Sequence, residues 1–181
     1  MHERRFNREI ERLRDPERGA RFEVGRVVSC ALEGLNAART VLDVGTGSGL
    51  FADEFAKSGL TVTGLDANAE MLRVAKQYVP LGTFKEGAAE QLPFPDGSFD
   101  LVFMGLLLHE TDDPLAALRE ARRVARQRLA ILEWPKEEQD FGPPLDHRIS
   151  PEKISKLSEK TGFRSFKFIQ LQDLTLYLLE P

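Results

Sequence analysis

The chain has 181 residues, 41% hydrophobic and 30% charged, the composition expected of one globular domain. That excludes collagen-like, mucin-like and mostly disordered chains, and no run approaches the ~18 apolar residues of a membrane helix. A net charge of −4 argues against a nucleic-acid binder, and a single cysteine, Cys30, excludes a disulfide framework or a paired-cysteine metal or redox site. The charged opening, MHERRFNREIERLRDPER, has no apolar stretch of a secretory signal, so a cytoplasmic location is expected.

Residues 1–28 read as a polar, Arg-rich helical arm, interrupted near Asp15-Pro16 and near Gly19, with a second helix restarting at Pro16. Phe6, Ile10 and Leu13 are spaced as one apolar stripe, which either docks on the core or lets the arm cover a ligand cleft. Strands are expected at 40–44, 61–66, 83–86, 99–104 and 129–133, with helices between them. The helix after residue 49 is stopped by Gly59. The next is capped by Asn68 and carries Met71, Leu72, Ala75 and Tyr78 toward a core. A third starts at Asp113-Pro114 and buries Leu115, Leu118, Ala121 and Val124. A tight connection then leads to the fifth strand. Residues 134–149 form a loop, Ser150-Pro151 opens a last helix that Gly162 ends, and 163–171 and 174–179 are two strands close enough to pair. The basic window 119–128, with five arginines against Glu120, reads as a solvated helix face, or else a docking patch for an acidic partner.

Buried strands alternating with helices specify a Rossmann-like, doubly wound α/β fold. The expectation is a mostly parallel seven-stranded sheet with a terminal antiparallel hairpin and helices on both faces. All of 1–181 is then one domain, with 38–180 as its core and the arm over the cleft. Ligands in such folds sit at the carboxyl ends of the strands.

The segment VLDVGTGSG, residues 41–49, is the most informative. Glycines at 45, 47 and 49 let the backbone turn sharply and approach a ligand, and the following helix points free N–H groups into that space. Asp66 ends the next strand, 17 residues after Gly49, where a carboxylate can accept both hydrogens of a ribose diol. A dinucleotide site would have a small residue where Leu50 stands. Asp43, beside the loop, would repel a pyrophosphate and suits a ligand with a positive end. Adenosine carrying a cationic amino-acid tail fits both features.

On these residues the chain resembles the class I S-adenosylmethionine-dependent methyltransferases of the small type 11 group, which includes ubiquinone/menaquinone-biosynthesis methyltransferases. VLDVGTGSG resembles the family's first motif and GLDAN, residues 64–68, its second. GAAEQLPFPDGSFDLVFMGLLLHE, residues 87–110, and LREARRVARQRLAILEW, residues 118–134, resemble later stretches. The resemblance implies S-adenosyl-L-methionine as cofactor, S-adenosyl-L-homocysteine as product, and a small-molecule methyl acceptor. It implies that Asp43 holds the methionine ammonium, that Gly45, Thr46, Gly47 and Gly49 shape the loop, and that Asp66 takes the ribose. Ala67 and Met71 would flank adenine, Ala88 and Ala89 would lie at its edge, and Met104 and Gly105 would line the way to the sulfonium. The family has Asp where this chain has Ala88, so Glu90 or a backbone group is expected to substitute. The family's Lys-Pro-Gly-Gly turn is replaced by Ala125-Arg126-Gln127-Arg128.

His109, just past the fourth strand, is the candidate base, because an imidazole titrates near neutrality. Glu133, at the end of the fifth strand, is a candidate acceptor contact or a cap of the following turn. Glu110 is a weaker base candidate. Trp134 could stack on a planar acceptor or pack at the rim, and Arg148 could pair with an acidic substrate or with Asp146. Asp112, Asp113 and His147 lack metal-ligand spacing, so no metal is expected. A monomer or homodimer without nucleic acid or membrane span is expected. A non-catalytic cofactor-binding module and a nucleotide-binding oxidoreductase are the rivals.

Overall fold

The computed structural model describes residues 13–181. Phe6 and Ile10 of the expected stripe lie outside the described residues. The arm contributes α1 (Pro16–Arg21), capped by the Asp15 side chain, and α2 (Val24–Leu32). Gly19 does not interrupt α1; the break comes at Glu23, which takes a left-handed conformation (φ 49°). The rest runs β1 (Thr40–Val44), α3 (Leu50–Lys57), β2 (Thr61–Asp66), α4 (Ala69–Tyr78), β3 (Thr83–Glu86), β4 (Phe99–Gly105), α5 (Pro114–Val124), β5 (Ala125–Glu133), α6 (Pro151–Lys160), β6 (Ser165–Gln170) and β7 (Thr175–Glu180).

The seven strands form one sheet in the order β3-β2-β1-β4-β5-β7-β6. The first five are parallel, and β7 pairs antiparallel with both β5 and β6. Alternation along the central strands supplies two cores. Val41, Leu101, Phe103, Ala130 and Leu132 face Val27, Val28, Phe51 and Phe55 of α2 and α3. Leu42, Val44, Val102, Met104, Leu129 and Ile131 face Leu118, Ala121, Val124 and Ile154 of α5 and α6. A strand buried on both faces explains the unbroken apolar runs in the sequence.

Three expectations change. Tyr78 is 50% exposed, because its ring carries the Arg14 guanidinium, 3.5 Å from the ring centroid, instead of entering the core. The connection after α5 is absent: β5 begins at Ala125, directly after Val124, and Ala125 pairs with Phe99 at the start of β4. This puts the altered turn at the sheet edge opposite the glycine loop. The basic window is only in part a solvated face: Arg119 and Arg126 are exposed, but Arg123, Arg126 and Arg128 are spent on other parts of the chain. Arg123 donates to the carbonyls of Leu92 and Phe94 and pairs with Asp96 and Glu120, fixing the 92–98 loop on α5. Arg126 donates to Asp100 and the Gly97 carbonyl. Arg128 is buried and donates to the carbonyls of Ala31 and Glu33 and to Glu180. Forked guanidinium donors here satisfy loop carbonyls that would otherwise be left unpaired.

Candidate active site

β1 ends at Val44, and the next five residues turn the chain from the sheet into α3. Gly45, Gly47 and Gly49 all take left-handed φ values of 70°, 53° and 79°, which residues with a Cβ rarely adopt. The N–H groups of Gly45 and Thr46 both donate to the Leu65 carbonyl, at 2.7 and 3.0 Å, folding the loop over the end of β2. A Cβ on Gly49 would meet Ala75 at 2.9 Å, so this glycine brings α3 against α4. A Cβ on Gly47 would meet no protein atom within 4 Å. Gly47 is therefore where backbone can be approached closely from outside.

The two acids flank that backbone. Asp66 Oδ2 accepts the Gly47 N–H at 2.8 Å, and Oδ1 accepts the Asn68 N–H at 2.9 Å, so the carboxylate is aimed before any ligand arrives. Asp43 is almost fully buried and accepts the Thr46 hydroxyl at 2.7 Å. Burial pushes its carboxyl up to about 7 against the Thr46 hydrogen bond, and the charge of Asp66 adds to the rise. Such a carboxylate gains most from a cation placed beside it. The arrangement thus fits an adenosine with a cationic amino-acid tail: an aimed carboxylate for hydroxyls, a buried one for an ammonium, and an accessible glycine backbone between them.

The remaining expected residues gather on the same edge. Ala67 is exposed after β2, and Met71 is buried on α4. The Gly87 N–H donates to the Asp66 carbonyl, holding the 87–90 segment beside β2. There Ala88 is exposed and bridged to Gln91, and Ala89 is buried. Glu90 Oε1 accepts the Asp112 N–H at 3.1 Å, which ties the loop after β3 to the loop after β4. Met104 departs from the others: its side chain is fully buried in the α5-side core. Gly105 closes β4, where a Cβ would strike Phe103 at 2.7 Å.

Past Gly105 the chain holds a feature that sequence reasoning missed. Leu106 takes φ 56°, a left-handed value costly for a residue with a Cβ. Its N–H is fixed by the Leu132 carbonyl at 2.8 Å. Leu106 packs on the α2-side core and Leu107 on the α5-side core. Leu107 lies over Gly45, where a Cβ would come within 2.7 Å of it. The available signal was an apolar triplet, Leu106-Leu107-Leu108, running beyond the end of a strand.

His109 follows in a 3₁₀ turn (Leu108–Glu110) and is 9% exposed. Its Nδ1 lies 2.8 Å from Oε2 of the fully buried Glu133, and its own N–H donates to Glu133 Oε1 at 3.1 Å. Glu133 also accepts the Trp134 N–H at 3.3 Å. Glu110 Oε1 lies 3.7 Å from His109 Nε2. Burial pulls the imidazole down, but the hydrogen bond and charge of Glu133, with the charge of Glu110, outweigh it, and the net shift is upward.

The 134–149 loop is built on Arg148, which is buried and pairs with neither Asp146 nor an open face. It donates to the carbonyls of Pro135, Glu137, Phe141 and Pro143 and to Gln139 Oε1. Trp134 is buried edge-on between Phe22 and Phe141. Asp113 caps α5, and His147 lies 3.9 Å from Asp146. Among the described residues no three His, Cys, Asp or Glu side chains are grouped to hold a metal ion, and no helix is long and apolar enough to cross a membrane.

The methyltransferase domain family matches residues 42–130, the stretch from the middle of β1 to the middle of β5. The structure of a SAM-dependent methyltransferase from Aquifex aeolicus superposes with a TM-score of 0.81 at 30% identity, covering 94% of this chain and 96% of that one. This chain belongs to the S-adenosylmethionine-dependent methyltransferases. Its cofactor is therefore S-adenosyl-L-methionine, which sets aside the oxidoreductase alternative. An uncharacterized methyltransferase of Bacillus subtilis is 35% identical over 128 residues, covering 67% of this chain and 50% of its own length. A demethylmenaquinone methyltransferase of Thermotoga maritima is 39% identical over 112 residues, covering 60% of this chain and 48% of its own. The chain thus spans half or less of the length of these curated relatives.

Proposed function

We propose that this methyltransferase transfers a methyl group to a small organic acceptor that gives up a proton, with His109 as the base and Glu133 as the residue that positions it. S-adenosyl-L-methionine, when bound, supplies a methyl group on a sulfonium and leaves as neutral S-adenosyl-L-homocysteine. In this reading Asp43 holds the ammonium end, Asp66 the ribose hydroxyls, and the loop 45–49 the backbone contacts. The 87–90 segment lies at the adenine edge, where Ala88 leaves the amino group to Glu90 or to main chain. Met104 contributes main chain only, since its side chain belongs to the core.

The observation that carries the acid–base assignment is the buried His109–Glu133 pair on the same sheet edge as the glycine loop. Glu133 accepts at Nδ1, which fixes the tautomer and leaves Nε2 to receive a proton. The oxygens of Glu133 already serve His109 and Trp134, so it acts through His109 and not on the acceptor. Positioning and exclusion of water supply the rest of the catalysis, since the donor methyl is already activated. Among the described residues the arm, the turn at His109 and the 134–149 loop stand along the same edge, and in this reading they enclose the acceptor. This favours a small molecule. Demethylmenaquinone, the acceptor in the name of the Thermotoga relative, is the first to screen. In the same reading the protein works in the cytoplasm as a monomer or homodimer.

The test is transfer of a labelled methyl group to a panel of acceptors that begins with demethylmenaquinone. Wild type should label at least one acceptor, and His109→Ala should lose roughly 10²–10⁴-fold in kcat with S-adenosyl-L-homocysteine affinity retained. Turnover by His109→Ala at the wild-type rate would remove the base. Cofactor binding without labelling of any acceptor would favour the non-catalytic module.

A further inference from the structure

Arg14 stands just before α1 and reaches three elements at once. Nη1 donates to the Ser48 carbonyl at 3.1 Å, Nη2 pairs with Asp53 Oδ2 at 2.6 Å, and Cζ lies 3.5 Å from the centroid of the Tyr78 ring. Its side chain is only 12% exposed. The Ser48 peptide lies between Gly47, whose N–H is spent on Asp66, and Gly49, which packs on α4. Glycine-flanked peptides have the widest conformational freedom, so a donor on the Ser48 carbonyl removes freedom from the part of the loop that must meet a ligand.

The far end of the same segment is tied to the other half of the site. Phe22 meets Trp134 edge-on at 5.8 Å, and Arg21 lies 4.1 Å over the Phe141 ring. Residues 14–22 therefore form a strap along the carboxyl edge of the sheet, from the glycine loop to the loop after β5.

We propose that Arg14 is a positioning residue for cofactor binding, latching the strap onto the glycine loop so that strap closure and cofactor binding strengthen each other. The proposal rests on the glycine loop being the cofactor site. By linkage, whatever orders the loop favours the strap, and the closed strap favours the ligand by the same factor. A merely structural Arg14 would tie α1, α3 and α4 together and change stability alone.

The experiment is calorimetric titration with S-adenosyl-L-homocysteine, paired with limited trypsin digestion in which cleavage after Arg18 and Arg21 is followed by mass. The variants are Arg14→Ala, Asp53→Ala, the double variant, and Arg73→Ala as an exposed α4 control. Arg14→Ala is expected to weaken binding by about five- to tenfold, and the double variant no further than the worse single, because both residues serve one latch. The ligand should slow cleavage of the strap in wild type and Arg73→Ala, and not in Arg14→Ala. Arg14→Lys keeps the charge but lacks the forked donor pair, so it should fold and still bind more weakly than wild type. Wild-type affinity in either folded Arg14 variant, or equal protection of the strap in Arg14→Ala, overturns the latch. If wild type itself does not bind the ligand, the cofactor site falls and the latch with it.

Discussion

Single carboxylates on this sheet edge answer to different physics. Asp66 is held by two backbone N–H groups. Asp66→Ala should weaken S-adenosyl-L-homocysteine binding by about 1.5–3 kcal/mol for each charged hydrogen bond to the ribose, read by calorimetry. Unchanged affinity would remove Asp66 from the ribose. Asp43 is buried, with its carboxyl raised from the ordinary 3.8 to about 7. A folded-state value above the unfolded one means that the folded protein keeps a proton which the unfolded chain releases. In the ligand-free protein, stability from this group therefore falls as pH rises from about 4 to about 7. An ammonium beside Asp43 reverses the preference and favours the ionised form. Cofactor affinity should then fall as pH drops from 8 to 6, with proton release that calorimetry in buffers of different ionisation enthalpy detects. A flat profile with no proton release would separate Asp43 from the ammonium. Both acids stood out in the sequence, because each ends or nearly ends a strand beside the glycines. Leu106 and Arg14 did not: a left-handed leucine and one arginine among many carry no local signature.

Elements were legible where apolar periodicity and caps agreed. Asn68, Asp113 and Ser150 all accept backbone N–H groups at the helix starts the sequence marks, and β2 spans the residues expected of it. Reading failed where long-range partners decided the matter. Arg126 and Arg128 read as part of a solvated helix face, but carbonyls and carboxylates distant in sequence hold them in β5, where Arg126 stays exposed and Arg128 is buried. Asp100 shows the same effect. Burial works against its charge, yet N–H donors of Arg39 and Thr40, the Thr40 hydroxyl and Arg126 hold its carboxyl well below the usual range. It joins the start of β4 to the start of β1, at the edge opposite the site. Asp100→Ala should cost about 3 kcal/mol, roughly 6–12 °C in Tm, while cofactor affinity is unchanged. A loss of affinity at wild-type stability would show that Asp100 acts on the site. The strand-end pair His109–Glu133 makes a separate prediction. Removing the Glu133 charge takes away what raises the imidazole. Glu133→Gln should therefore move the acid limb of the kcat profile to lower pH, and a limb that stays in place would mean that His109 is not the titrating base.

At the scale of the molecule, the sheet supplies one edge and the loops are laid across it. The glycine loop, the 87–90 segment, the turn at His109 and the 134–149 loop all leave the carboxyl ends of parallel strands, and the strap of residues 14–22 joins the first to the last. The doubly wound order, the terminal hairpin and the edge on which the glycine loop lies could be read from alternating strands and helices, because βαβ geometry leaves little choice. How residues 14–22 are fixed across that edge could not, since it depends on contacts between segments more than a hundred residues apart, such as Phe22 with Trp134. The central claim is that this edge binds an adenosine with a cationic amino-acid tail. Calorimetric titration of the protein with S-adenosyl-L-methionine, S-adenosyl-L-homocysteine and NAD(H), side by side, tests it most directly. Saturable binding of the first two with no response to NAD(H) is the predicted result, and binding of NAD(H) alone, or of none of the three, would contradict it.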